Sequence, residues 1–209
     1  MNESTDTEGE ATTAEAELER PADATPVAKL AQRDGAIALA ALSLFAAADA
    51  WHATTGLAFA SLLSIVDGAV VGIALGVLAH EWGHFAGARW GGGIAPTGPI
   101  STFFPIFNLD LARSSDYAFR AMSIGGNVGH WLVVLIVAAC IPLDAPGRLA
   151  LLAGAFGFAV SASTTELPII RRSLAGASPA ESFLGLTGDK LRRDRWIGLA
   201  AGGVLFLGL

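Results

Sequence analysis

The stretch DGAVVGIALGVLAHEWGHFAGAR, residues 67–89, decides how this chain folds. After Asp67 it runs through twelve apolar or glycine positions and then, with no break, meets His80, Glu81 and His84. About 20 such residues, rising 1.5 Å each, cross the roughly 30 Å of a bilayer's hydrocarbon core. The reading is therefore a membrane-spanning helix with three ionisable side chains inside it. Such groups are costly in lipid and mark a functional site by default.

Working outward, four or five segments qualify as spans. The first covers residues 35–53, with Asp49 near its end, and the second is 67–89, which residues 57–65 extend. The third covers 121–141 and stops at Pro142, and the fourth covers 149–170. A fifth, 196–209, is apolar but short for a crossing. Composition agrees: 53% of the 209 residues are hydrophobic, the mean hydropathy is +0.54, and only 15% are charged. A soluble domain carries about a quarter charged residues. The expected fold class is an all-α polytopic membrane protein of four to five transmembrane helices.

Residues 1–33 differ. Six of the nine Glu precede residue 20, among Thr, Ala and Ser, with no apolar periodicity, which predicts a disordered acidic tail. The formal charge of −6 belongs mainly to it. It lacks the apolar stretch of a signal peptide. The membrane-embedded domain is then 34–209. Its one cysteine, Cys140, excludes an internal disulfide and is expected to be a small buried hydrophobe.

The basic residues orient the spans. Lys29, Arg33, Arg89, Arg113, Arg120, Arg171, Arg172, Lys190, Arg192, Arg193 and Arg195 all fall on one side if the N-terminus is cytoplasmic, leaving Arg148 opposite. Residues 91–118 are punctuated by Gly91, Gly92, Gly93, Pro96, Gly98, Pro99 and Pro105. They predict a hairpin or re-entrant loop on the cytoplasmic face, with strand-like pieces on either side of Pro105. This loop is expected to capture an unwound substrate by strand addition, and proline substitutions from Ile100 to Phe104 are expected to slow cleavage.

His80-Glu81-Trp82-Gly83-His84 is the pattern H-E-x-x-H. On a helix, positions i and i+4 share a face, so both imidazoles can hold one zinc ion, with Glu81 beside it as general base. Zinc needs a third protein ligand and an open position for water. With four His and nine Glu, random order yields the pattern in roughly three chains per thousand. A pair of histidines placed only for packing does not explain three ionisable groups in five residues of a span.

The string His80-Glu81-Trp82-Gly83-His84-Phe85-Ala86-Gly87-Ala88-Arg89-Trp90-Gly91 resembles the site-2 protease family of intramembrane zinc metalloproteases. The stretch Ser123-Ile124-Gly125-Gly126-Asn127-Val128-Gly129 is similar, more loosely, to that family's S-x-G-P-x-x-N, with Gly126 standing where the family has Pro. The resemblance covers residues 68–172. It implies a three-helix core, one zinc inside the cytoplasmic leaflet, a substrate-contacting role for Asn127, and cleavage of membrane-spanning substrates by a minimal core without a PDZ-like insertion.

The family's third-ligand motif is absent, and two carboxylates compete for the role. Glu166 precedes Arg171 by five residues, as His84 precedes Arg89, so both lie about 7–8 Å from the same interface. Metal coordination would compensate a carboxylate at that depth, and Pro168 would free a backbone carbonyl nearby. Asp110 lies in a sequence more like the family's motif end, but in an irregular loop. His130 or water are the remaining options. His130, about a turn deeper than Asn127, is expected to contact substrate or to support the ligands.

Weaker signals are His52, read as an interfacial anchor, and Asp49 and Asp67, which mark the outer interface. Ser161, Ser163, Thr164 and Thr165 either hold an extended substrate or bond carbonyls of their own helix. The expected function is a zinc-dependent intramembrane endopeptidase, with one Zn²⁺ per chain. Its expected partners are a membrane-protein substrate and the bilayer, with no nucleic acid. The alternative is a non-catalytic zinc-binding scaffold or receptor, against which Glu81 counts because a scaffold needs no base. A transporter would spread its ligands over several depths.

Overall fold

The structure, a computed structural model, describes residues 24–209, whose regular structure is helical apart from one isolated antiparallel bridge between Thr97 and Phe107 in the irregular segment 91–115. Among the described residues six helices follow in order: α1 (Val27–Thr55), α2 (Ala58–Trp90), α3 (Asp116–Cys140), α4 (Pro146–Leu174), the one-turn α5 (Pro179–Ser182) and α6 (Gly188–Gly208). α1 to α4 are each long and apolar enough to cross a membrane. The chain is thus an all-α, multi-pass membrane protein. α6 also forms as a helix, but its first two turns are polar and it falls outside that set.

α2 packs against α3 on one side and α4 on the other, and α6 lies along α4. Lipid supplies no hydrophobic force between helices, so close backbone approach has to hold them. Glycines provide it. A Cβ at Gly83 would meet the carbonyl oxygen of Gly125, one at Gly87 that of Ala121, and one at Gly129 that of Ala79. Gly72 and Gly154 meet Leu151 and Ala69 across the α2–α4 interface in the same way. This contact puts the motif face of α2 within side-chain reach of both neighbours. α4 is the most enclosed of the four long helices and α1 the least.

Several expectations are corrected. Of the predicted tail, residues 1–23 lie outside the described residues, and 27–33 are helical: α1 begins after Pro26, eight residues before the predicted span. Its polar first turns are held by partners that no periodicity discloses. Arg33 donates from Nη1 to the carbonyls of Ile100 (2.8 Å) and Thr102 (2.7 Å), and Asp34 accepts from Arg33 Nε and from Trp82 Nε1 (2.9 Å). The predicted hairpin exists, but its arms are 94–98 and 106–110, bonded Gly98 N to Ile106 O, Asn108 N to Pro96 O and Asp110 N to Ile94 O. The piece from Ile100 to Phe104 is its tip, and two of its carbonyls accept from Arg33. Ile106 and Phe107 are buried with Ala88 and Ala95 beside the motif.

At the opposite end of the bundle, α1 ends at Gly56, whose left-handed φ of 66° suits glycine and whose N–H closes on His52 O. Asp49 is buried there. It accepts from Arg148 Nε (2.8 Å) and Ser64 Oγ (3.3 Å), which accounts for the lone Arg at this end. Cys140, expected to be buried, is exposed at the end of α3.

Candidate metal centre

His80 and His84 lie one turn apart on α2, and their Nε2 atoms are 3.1 Å from each other. Glu166, from α4, brings Oε1 to 3.1 Å from His80 Nε2 and 3.0 Å from His84 Nε2. Three donor atoms on two helices therefore form a nearly equilateral triangle. The group is the set of His, Cys, Asp and Glu side chains among the described residues arranged to hold a metal ion. Tetrahedral zinc, at about 2.0–2.1 Å from each ligand, spaces its ligands about 3.3–3.4 Å apart. The observed edges are a few tenths shorter, within small side-chain adjustment. The three side chains remain 12–16% exposed, so the triangle is not sealed within the protein.

The surrounding hydrogen bonds fix which atoms carry protons. A carboxylate only accepts, so Asn127 must turn its amide nitrogen to Glu166 Oε2 (2.6 Å) and its Oδ1 to Ser163 Oγ (3.0 Å). Ser163 then donates to Asn127 and accepts from Trp131 Nε1 (2.9 Å) and His130 Nε2 (3.2 Å). With its proton on Nε2, neutral His130 offers the Nδ1 lone pair, and His80 Nδ1–H donates to it (3.0 Å). His84 Nδ1–H donates to the Met122 carbonyl (2.8 Å). Both histidines are left with a bare Nε2 lone pair, aimed at Glu166 Oε1 and at each other. Histidines that bind metals are oriented by such a bond from the other ring nitrogen.

Close helix packing is needed for this arrangement. A Cβ on Gly126 would fall against the His84 ring, 2.6 Å from Nδ1, so only glycine leaves the imidazole its place. Phe158 stands edge-on to His80 (5.6 Å between centroids) and His130 (5.9 Å), closing the apolar side.

Glu81 is half-buried and, among the described residues, has no hydrogen bond or ion pair, which leaves its carboxylate available. Asp110 stands elsewhere. Its Oδ1 accepts from the backbone of Ala112 (3.1 Å) and Arg113 (3.2 Å) in a turn after the hairpin. Asn127 reaches Glu166 rather than open space. His130 is fully buried, so the expected substrate contact gives way to support of His80. Trp131 carried no expected role at the site, and Ser163, expected to hold substrate or bond its own helix, instead bonds His130, Trp131 and Asn127. Their spacing was the available signal: Asn127, His130 and Trp131 are i, i+3 and i+4 on one face, and Ser163 lies three before Glu166.

No family model, no curated protein and no solved structure matches this chain.

Proposed function

We propose that the chain is a zinc-dependent intramembrane endopeptidase, a divergent and minimal relative of the site-2 protease family, cleaving membrane-spanning substrates near the cytoplasmic leaflet. The observation that carries this reading is the triangle of lone pairs. Three acceptors 3.0–3.1 Å apart, with the other ring nitrogens already donating elsewhere, need a proton or a cation among them, and a metal ion is the one partner that satisfies all three at once. His80, His84 and Glu166 would hold that ion. A zinc ion held there supplies Lewis-acid chemistry, acidifying water to near neutral pH and polarising a carbonyl.

The remaining chemistry falls to the chain's own groups. Glu81 follows His80 directly and lies three residues before His84, on the same side of the helix as the triangle. It takes the proton of the attacking water and returns it to the leaving amine. General base catalysis of this kind contributes about 10²–10⁴ in rate. Phe158 and the packed glycine interfaces limit water on the apolar side. A helical substrate has to unwind locally before its peptide bond reaches Glu81, because its carbonyls are otherwise bonded within the helix. The basic residues orient the N-terminus and the metal to the cytoplasmic side.

The test uses full-length chain reconstituted in vesicles with single-span substrates. Zinc-loaded wild type should cleave, and Glu81→Gln should bind zinc equally while losing cleavage at least about a hundredfold. Equal cleavage by both would exclude Glu81 as the base. Zinc binding without cleavage of any of a panel of spans would favour the scaffold alternative.

A further inference from the structure

We propose that Lys190 and Asp194 of α6 are positioning residues for Glu166, acting through the turn of α4 that Pro168 breaks; this rests on the metal reading of the site. Pro168 lies inside α4 and has no N–H to give to the carbonyl four residues back, that of Thr164. An unpaired carbonyl within a membrane helix is costly, and neighbouring groups normally take it up. Here Lys190 Nζ does so, at 2.9 Å from Thr164 O. The same ammonium is ion-paired with Asp194, one turn along α6, whose side chain is only 1% exposed. Asp194 Oδ2 also accepts the Thr165 hydroxyl at 3.0 Å.

α6 therefore grips two consecutive residues, Thr164 by its backbone and Thr165 by its side chain, immediately before Glu166. The grip is not needed to dock α6. Gly157, Gly198 and Gly202 already bring α4 and α6 into backbone contact one to two turns deeper. Nor does it look outward, since the buried carboxylate faces α4 and not solvent. Its effect is local: it fixes the opened turn whose geometry aims Glu166 at His80 and His84. This gives the polar first half of α6 a purpose that a membrane anchor would not require.

The freed carbonyl makes the idea testable as a cycle. Ala at 168 restores the N–H, so Thr164 O no longer needs Lys190. Cobalt(II) is titrated into the full chain in detergent, reading the visible absorption of the bound ion, for wild type, K190M, P168A and P168A/K190M. K190M should weaken cobalt binding about tenfold and shift the visible band, as loss of supporting contacts does at metal sites. In the P168A background the same change should cost less than about threefold. The K190M/D194N variant removes both charges together and should match K190M in affinity, which covers the event that a buried Asp194, left with only the exposed Arg193 at 3.4 Å as its cation, prevents folding. An equal loss in both proline backgrounds, or no loss with a wild-type band, overturns the clamp while the metal reading stands. No cobalt binding by folded wild type overturns both.

Discussion

Gly126→Ala is the sharpest single-atom perturbation of this site. The added methyl would lie against the His84 imidazole, 2.6 Å from Nδ1, where ordinary contact begins near 3.4 Å, so the ring or α3 must give by at least about 0.8 Å. Neither yields readily. His84 is tied at Nδ1 to Met122 O, and α2 and α3 are already in backbone contact at Gly83 and Gly125. Zinc sites tolerate displacements of about 0.2 Å in ligand distance, so a shift four times that size removes His84 as a ligand. Zinc affinity should fall by at least about a hundredfold, with about 1–3 kcal/mol lost from stability through overpacking. Gly203→Ala, where nothing lies within 4 Å of the new methyl, is the matched control and should change neither. Competition against a chromophoric chelator in detergent gives the affinity, and thermal unfolding gives the stability. A Gly126→Ala chain that binds zinc as wild type does would refute the placement of His84.

Other outcomes follow from the same contacts. Ser163→Ala removes the hub joining His130, Trp131 and Asn127 and should weaken zinc about tenfold, read by the same competition. His130→Ala should do at least as much, because His80 then loses the acceptor that fixes its tautomer. Arg148→Ala leaves Asp49 buried without its cation at the far end of the bundle. It should lower stability by about 1–3 kcal/mol with zinc content unchanged, measured by unfolding and metal analysis.

The sequence disclosed whatever rests on local pattern and depth. H-E-x-x-H within an apolar run declared both the helix and the face that carries its two histidines, and counting residues to the flanking arginines placed Glu166 level with His84. What it could not disclose depends on distant partners. The first turns of α1 read as tail because Arg33 and Asp34 look like solvated charges. Only the fold supplies the hairpin carbonyls and Trp82 that hold them. The arms of the hairpin were misplaced because Pro105 seemed to divide strands, whereas the turn sits earlier, at 99–102. His130 was legible as important but not as buried, since burial follows from how closely the glycines of α2 and α3 let the helices meet. Cys140 shows the reverse error: an apolar run in a membrane protein can face lipid as easily as a core.

The most direct test is zinc per chain on detergent-purified, folded protein, comparing wild type with His84→Ala, Glu166→Ala and Asp110→Ala. The expected result is close to one zinc in wild type and in Asp110→Ala, and almost none in His84→Ala and Glu166→Ala. Folded wild type without zinc, or zinc lost with Asp110→Ala but kept with Glu166→Ala, would contradict the metal centre described above.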